Sequence, residues 1–409
     1  MTEITKELLE KEMFAFLLKK LPEREALAAY YRGEQPVTKG RAVPGRPNNI
    51  LRSNICRYIT DVHTGYFMGV PMTFDFESGS MGEKAAPMLR EVLEPMLFEA
   101  ARDASIYGTA FAMVKAENGG IRTVRLDPEK TFAVEDEEGN QAAVVKFKGT
   151  KGRTLSGEIY TGEGVRAFEY RDRRIETSPL NRLPLGAIPI VEFKNNPDRT
   201  GDFQPVTSLM DAYNLLLSGA MDDMQSVATA FLALYGMQGT TKEDIDEANR
   251  SRVLSLSENG KAEFVVKNVN PAAIDSLKST LMKDMLMVTK TPDLSDESFA
   301  GNVSGVAMEY KLWGIEQSRS QKQRCFAPAV RELARVLGLY WGYKDVTEGM
   351  KLNFYKNLPQ DVEKICSNIS KVSDIVSRKT RLELLPFVKD VPEEMRRLEK
   401  EKQGETEQI

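Results

Sequence analysis

One histidine, His63, three cysteines (Cys56, Cys325 and Cys366) and a few close-set carboxylates are the residues on which chemistry could rest. A metal site built on paired histidines, or a triad drawing on a second histidine, is excluded by that count. Cys56 lies seven residues before His63, so the two can share a helix face. A lone Cys and His at that spacing read first as neighbours, and His63 as a packed or helix-capping residue. Asp222 and Asp223 are adjacent and project about 100° apart on a helix, poor geometry for holding one ion. Asp293, Asp296 and Glu297 cluster in TPDLSDESFA, which reads as a solvated acidic loop, with metal binding as the alternative. GTKGR (149–153) and GMQGTTK (236–242) lack the spacing of a phosphate-binding loop, and no dinucleotide-binding glycine pattern occurs. No catalytic residue, metal or cofactor is therefore assigned. The enzyme reading that survives is metal-dependent processing of nucleic acid through Asp222, Asp223 and Asp293.

The elements that would position such residues come from 409 amino acids, enough for two or three domains. With 56 basic and 60 acidic side chains the net charge is -4, which excludes a strongly basic protein that coats nucleic acid. It leaves room for one that surrounds nucleic acid without gripping it. Three scattered cysteines form no disulfide framework and fit a reducing compartment. The acidic, amphipathic start MTEITKELLEKEMF does not read as a signal peptide, and no apolar run is long enough to span a membrane.

Along the chain, the first ~45 residues hold an amphipathic helix and a loop ending in RAVPGRPNNI. A helical pattern resumes from Asn49 to about Gly69, MTFDFES alternates like a strand, and APMLREVLEPMLFEAARDASIY reads as a helix. Residues 109–195 break into short β-rich runs with a hairpin turn at TGEG (161–164), an antiparallel sheet with a helix packed on it. From QPVTSLMDAYNLLLSG the spacing predicts a helix over 203–235, about 45 Å long, followed by a small polar module at 236–271. A second helix follows at 272–289 and a glycine- and serine-containing segment at 290–304. A third helix then runs from about Gly305 to Trp341, roughly 55 Å if straight, with Gly314 as a candidate bend. Short helices occupy 361–401, the last starting near Asp390, and GETEQI reads as disordered. The fold class is α+β with unusually long helices. Helices this long and apolar need partners: either an ordinary bundle within one chain or neighbouring copies in a ring.

Five stretches in register resemble the portal proteins of tailed bacteriophages, in the branch typical of long-tailed phages of Gram-positive hosts. They are NNILRSNICRYITDVHTGYFMGVPMTF; ARDASIYGTAFAMV with RLDPEKTFAVED; IPIVEFKNNPDRTGDFQPVTSLMDAYN; SGVAMEYKLWGIEQ; and NFYKNLPQD. The resemblance covers most of the chain and implies the portal fold. Residues 1–202 would be the N-terminal part of a mixed α/β wing, 203–235 and 272–289 the two stem helices, and 236–271 the clip. Residues 290–304 would be the tunnel loop, 305–357 the long helix and strand returning to the wing, and 358–409 a helical crown. It implies a dodecameric ring at one capsid vertex, with a channel for packaging and ejecting double-stranded DNA without sequence specificity. Expected partners are a terminase, a head–tail adaptor, capsid and scaffold proteins, and no membrane. The expected place is the virion, after assembly in the host cytoplasm. Facing DNA would be Lys278, Lys283, Lys290, Asp293, Asp296, Glu297, Ser298 and Asn302. The acidic side chains would keep DNA mobile and the lysines would offer weak, repeated contacts. Lys278 and Lys283 read equally as solvated, or as paired with a neighbouring subunit.

Overall fold

A computed structural model describes residues 5–38, 40, 42, 47–117, 120–149, 154–183, 185–228, 231–235, 241–251, 260–265, 270–294, 305–357, 362–385, 387–388 and 391–406. They form two compact units, Met1–Lys356 and Asn357–Ile409. In the first unit, helices α1 (Lys6–Ala15) and α2 (Leu21–Arg32) are joined by one π-helical turn, and α3 spans Ile55–Met68. Strand β1 (Thr73–Asp75) leads to α4 (Met81–Tyr107). Nine strands follow: β2 (Thr109–Glu117), β3 (Gly120–Leu126), β4 (Thr131–Glu135), β5 (Gln141–Lys148), β6 (Leu155–Thr161), β7 (Gly164–Arg171), β8 (Arg174–Thr177), β9 (Asn181–Arg182) and β10 (Ile190–Lys194). Then come α5 (Thr207–Ala228), β11 (Phe231–Tyr235), α6 (Lys242–Ser251), β12 (Lys261–Val265), α7 (Pro271–Val288), α8 (Gly305–Trp341) and β13 (Lys351–Asn353). The second unit holds α9 (Val362–Lys371), α10 (Arg378–Glu383) and α11 (Val391–Thr406).

Two antiparallel sheets carry the first unit, ordered β10-β2-β3 and β4-β5-β6-β7-β8, with β9 paired to β7. Alternation decides which face each residue takes. Val145 and Phe147 on β5 join Phe132, Ile159 and Phe168 in a core closed by Met13 and Phe16. Val144, next to Val145, points the other way, into a cluster with Phe111, Leu126 and Ile190 of the smaller sheet. A third core sets α4 and the second half of α8 against β2 and β10, around Leu89, Leu93, Phe193, Phe326 and Leu333. Each such side chain contributes about 1.5–3 kcal/mol on full burial. A fourth gathers α2, α3, α5 and α7 around Leu27, Ile59, Phe203, Met210 and Met285.

The third long helix occupies Gly305–Trp341 as its periodicity predicts. Four local expectations change. Helix 203–235 ends at Ala228, because 231–235 pairs as a strand with 261–265, Phe231 opposite Val265. Its length is therefore about 33 Å, not 45 Å. The polar module contains helix α6 as well as this hairpin. Asn49–Asn54 is extended rather than helical: Asn49 binds Asp222 at 2.7 Å, and the Leu51 and Ser53 amides donate to Ser218 and Asn214 of α5. The side chain of Asn54 then caps α3 by accepting from the Arg57 amide. Finally, α11 continues through Gly404–Thr406 of the GETEQI tail.

Candidate functional site

The place to build upward is the end of α7, where the chain turns toward the segment singled out by its acidic and flexible residues. Thr289 closes the helix, and Lys290 adopts a left-handed conformation with φ 57°. The Lys290 amide donates to Met287 and the Thr291 amide to Leu286, the paired bonds of a Schellman ending. Glycine usually fills the left-handed position; a side chain there costs about 1–2 kcal/mol. Close approach by α8 accompanies it: a Cβ on Gly314 would lie 3.3 Å from the Lys290 Cβ. Gly314 sits inside α8, and its small size leaves room for this crossing.

Buried polar groups fix this turn from beneath. His63 of α3 places Nε2 3.0 Å from the Thr289 carbonyl oxygen and 3.1 Å from Thr291 Oγ1. A carbonyl can only accept, so Nε2 carries the proton. Thr289 Oγ1 donates to the Met285 carbonyl at 2.8 Å, so Thr291 Oγ1 donates to Thr289 across their 2.8 Å contact. The other imidazole nitrogen faces Asp202 Oδ2 at 3.9 Å. Asp202 in turn accepts from Lys322 Nζ at 2.5 Å and Asn195 Nδ2 at 2.9 Å, and Ser105 Oγ donates to it as well. His63, Asn195, Lys322 and Ser105 are all buried.

Burial pushes the His63 pKa below its ordinary value; Asp202 raises it and Lys322 lowers it further, without reversing the effect. Burial alone would raise Asp202, but Lys322, His63 and the Asn195 amide outweigh it and hold the carboxyl at about 2. The hub is thus a neutral imidazole beside a closed Asp–Lys pair. The Cys56 thiol, two turns earlier on α3, is pushed up to about 12 chiefly by burial and is inert.

Sequence NNPDRTGD brings the hub together. Its backbone crosses the end of α4, with the Asn195 amide on the Gly108 carbonyl at 3.0 Å and the Asp202 amide on Ser105 at 2.8 Å. Gly108 has φ 79°, and Gly108 and Gly201 touch backbone so closely that a Cβ on either would overlap a carbonyl. Sequence reasoning read His63 as packed and did not find Asp202 or Lys322. One signal was there: Lys322 interrupts the apolar stripe Ile315, Phe326, Val330, Leu333, Leu337, all buried, and a lysine on such a stripe needs a buried counter-charge.

Of the channel-facing residues expected from sequence, Lys278 and Lys283 are exposed on α7, on different sides of it, and Lys290 is exposed at the turn. Asp293 is exposed a few residues on. Asp296, Glu297, Ser298 and Asn302 lie outside the described residues. Lys290 and Gly314 are brought together; Lys278 lies about 18 Å up the helix from Lys290. Asp222 holds Asn49 through both its backbone amide and its side chain, a structural task. Among the described residues no three of His, Cys, Asp and Glu stand where they could share a metal ion.

The mixed body sends out α5, takes the chain back on α7 packed against it, and continues into a 37-residue α8. The neck of an empty GTA particle computed with C6 symmetry superposes with a TM-score of 0.51 at 11% identity, over 89% of this chain and 93% of that one. Sequence relatives agree. The portal protein of Bacillus phage SPP1 is 21% identical over 84% of this chain and 74% of its own length. That of Clostridium phage phiCD119 is 20% identical over 90% of each. The family described as "Phage portal protein, SPP1 Gp6-like" matches residues 13–408, and the chain belongs to it.

Proposed function

We propose that copies of this chain assemble side by side into a ring, twelve-membered as the resemblance implies, whose bore passes double-stranded DNA at a capsid vertex. In this reading α5 and α7 are the stem, β11–α6–β12 the clip that meets terminase and a head–tail adaptor, and the segment from Lys290 to α8 lines the bore. Residues 358–409 form the crown toward the head interior, and ATP hydrolysis belongs to the terminase. The protein is then a component of the virion, assembled in the host cytoplasm with capsid and scaffold proteins, and is not itself an enzyme.

One observation beyond family membership carries the reading. The long helices expose large apolar side chains on more than one side: Met224 (69%) with Leu215 and Met221 on α5, Met287 (70%) with Leu277 on α7, and Trp313 (62%) with Tyr310 on α8. Such surface is costly in water and is removed when each copy covers its neighbour. The balanced charge fits a bore that contacts phosphate weakly, since every cation fixed on a phosphate adds a salt-dependent increment multiplied around the ring.

Negative-stain electron microscopy and light scattering of the purified protein test it. Annular particles many times the 45.9 kDa chain mass are expected; a monodisperse monomer at high concentration overturns it.

A further inference from the structure

Three residues of α3 reach the chain that leaves α7 and, farther on, the interior of α8 at Glu316. Tyr58 donates its hydroxyl to the Pro292 carbonyl at 3.0 Å and accepts from the Leu294 amide at 3.2 Å. His63 holds Thr289 and Thr291 at 3.0 and 3.1 Å. Tyr66 donates to Glu316 of α8 at 2.9 Å, a carboxylate also bound by Arg319 at 2.8 Å and Lys356 at 3.4 Å. At about 100° per residue, positions 58, 66 and 63 fan over an arc of roughly 140° on α3. The helix itself is immobilised by Ile55, Cys56, Ile59, Phe67 and Met68, all buried.

We propose that α3 is a common anchor on either side of this segment, gripping the outgoing chain at 289–294 through Tyr58 and His63 and the body of α8 at Glu316 through Tyr66. The positions of Thr289–Leu294 and of Glu316 are then fixed relative to one rod. Asp202 and Lys322 act one step back: they close a neutral ion pair behind the imidazole and tie the same site to α8 through Lys322. Tyr58, His63 and Tyr66 are positioning residues, not DNA contacts. The consequence for the bore rests on the portal reading; the anchoring itself does not.

Backbone amide exchange on the full-length assembled protein tests it. In the wild type the hydrogen-bonded amides of Lys290, Thr291 and Leu294 should be protected. His63→Leu keeps bulk but removes the donor, and should speed exchange over 286–294 about tenfold or more while the sheets keep their protection. His63→Gln restores a side-chain N–H donor and should recover most of the loss, a rescue that simple packing at this position does not produce. Tyr58→Phe, which removes one hydroxyl and leaves the ring, should deprotect Leu294 without lowering Tm by more than a degree or two. Tyr66→Phe should loosen α8 around Glu316 and leave 286–294 unchanged.

The proposal is overturned if Tyr58→Phe and His63→Leu leave 286–294 as protected as in the wild type. It is equally overturned if His63→Gln loses as much protection as His63→Leu. Should His63→Leu fail to fold, the two tyrosine variants still decide the matter, each reporting on its own side. Wild-type protein that forms no rings or passes no DNA refutes the functional reading and leaves these exchange results standing.

Discussion

In the larger sheet, Phe132, Val145, Phe147, Ile159 and Phe168 all point into the core beneath α1, whereas on α5 and α7 the side chains of Leu215, Met221, Met224, Leu277 and Met287 stand in solvent. Both regions carry regular apolar periodicity. In the sheets a single chain supplies both sides of each contact; for these exposed helical side chains it supplies one, and the proposed ring would supply the other. Periodicity therefore says that a face will be covered, and only the fold says whether the cover comes from the same chain. The body should respond to substitution as an autonomous folding unit, and the exposed helical faces as half of an interface.

The largest effect is expected where the body is most tightly closed. Gly108→Ala puts a Cβ at φ 79°, overlapping the carbonyl of Arg199, and neither backbone can retreat because the Asn195 amide is bonded to the Gly108 carbonyl. Backbone strain and overpacking together should cost more than about 3 kcal/mol. Denaturant unfolding followed by tryptophan fluorescence checks this; a loss below about 1 kcal/mol means that the 195–202 loop yields, and the contrast with the helices weakens.

An intermediate effect, of a different kind, is expected on the helices. Met224→Asp and Trp313→Asp change side chains exposed in the single chain, so its unfolding free energy should move by no more than about 0.5 kcal/mol. Assembly should suffer instead, because a central interface anchor is worth about 2 kcal/mol or more at each contact and the contact repeats around a ring. Mass photometry should show rings giving way to monomers. Intact rings in both variants would break the comparison, since these faces would then have no partner.

The same contrast explains what could be read before the structure. Gly305–Trp341 was legible, to within a residue or so at its start, because its 3.6-residue periodicity runs on after a glycine- and serine-containing segment. The alternation of β5 was legible in part: AAVVKF is buried on both faces, so a run replaces the simple pattern. The switch at Phe231 was not legible. Val227, Phe231 and Tyr235 keep a spacing of four, and only pairing with 261–265, some thirty residues on, makes 231–235 a strand. The extended course of Asn49–Asn54 depends likewise on side chains of α5 more than 160 residues away. The hub was the least legible, because His63, the Asn195–Asp202 loop, Thr291 and Lys322 come from four separate stretches. Its one local sign was a lysine in an apolar stripe.

Acid should separate the two regions with the smallest effect of the three, and its sign follows from the shifts. His63 is buried and neutral, its pKa held below the usual 6.5. The groups around it are Asp202 from the loop after β10, Lys322 from α8 and Lys290 from the end of α7, so a proton on the ring places a second positive charge beside one carboxylate. In the unfolded chain His63 gains that proton as pH falls through about 6.5. The unfolded state then binds more protons than the folded one. Stability is full above that pH, declines as pH drops below it, and levels off once the lowered folded value is passed. Asp202 acts in the same direction in a lower window. With its folded pKa near 2 against an ordinary 3.8, its contribution is present above 3.8 and lost as pH falls toward 2. Unfolding measured from pH 8 to 5 on ring-deficient Met224→Asp protein isolates the body. Its stability should fall between pH 6.5 and 5, and His63→Gln, which cannot titrate, should flatten that part of the curve. An unchanged slope in His63→Gln would assign the acid sensitivity elsewhere and return His63 to a plain packing role. A flattened slope would locate the body's pH response in the hub beneath Lys290, away from the exposed faces of α5 and α7, whose substitutions should leave the slope as it is.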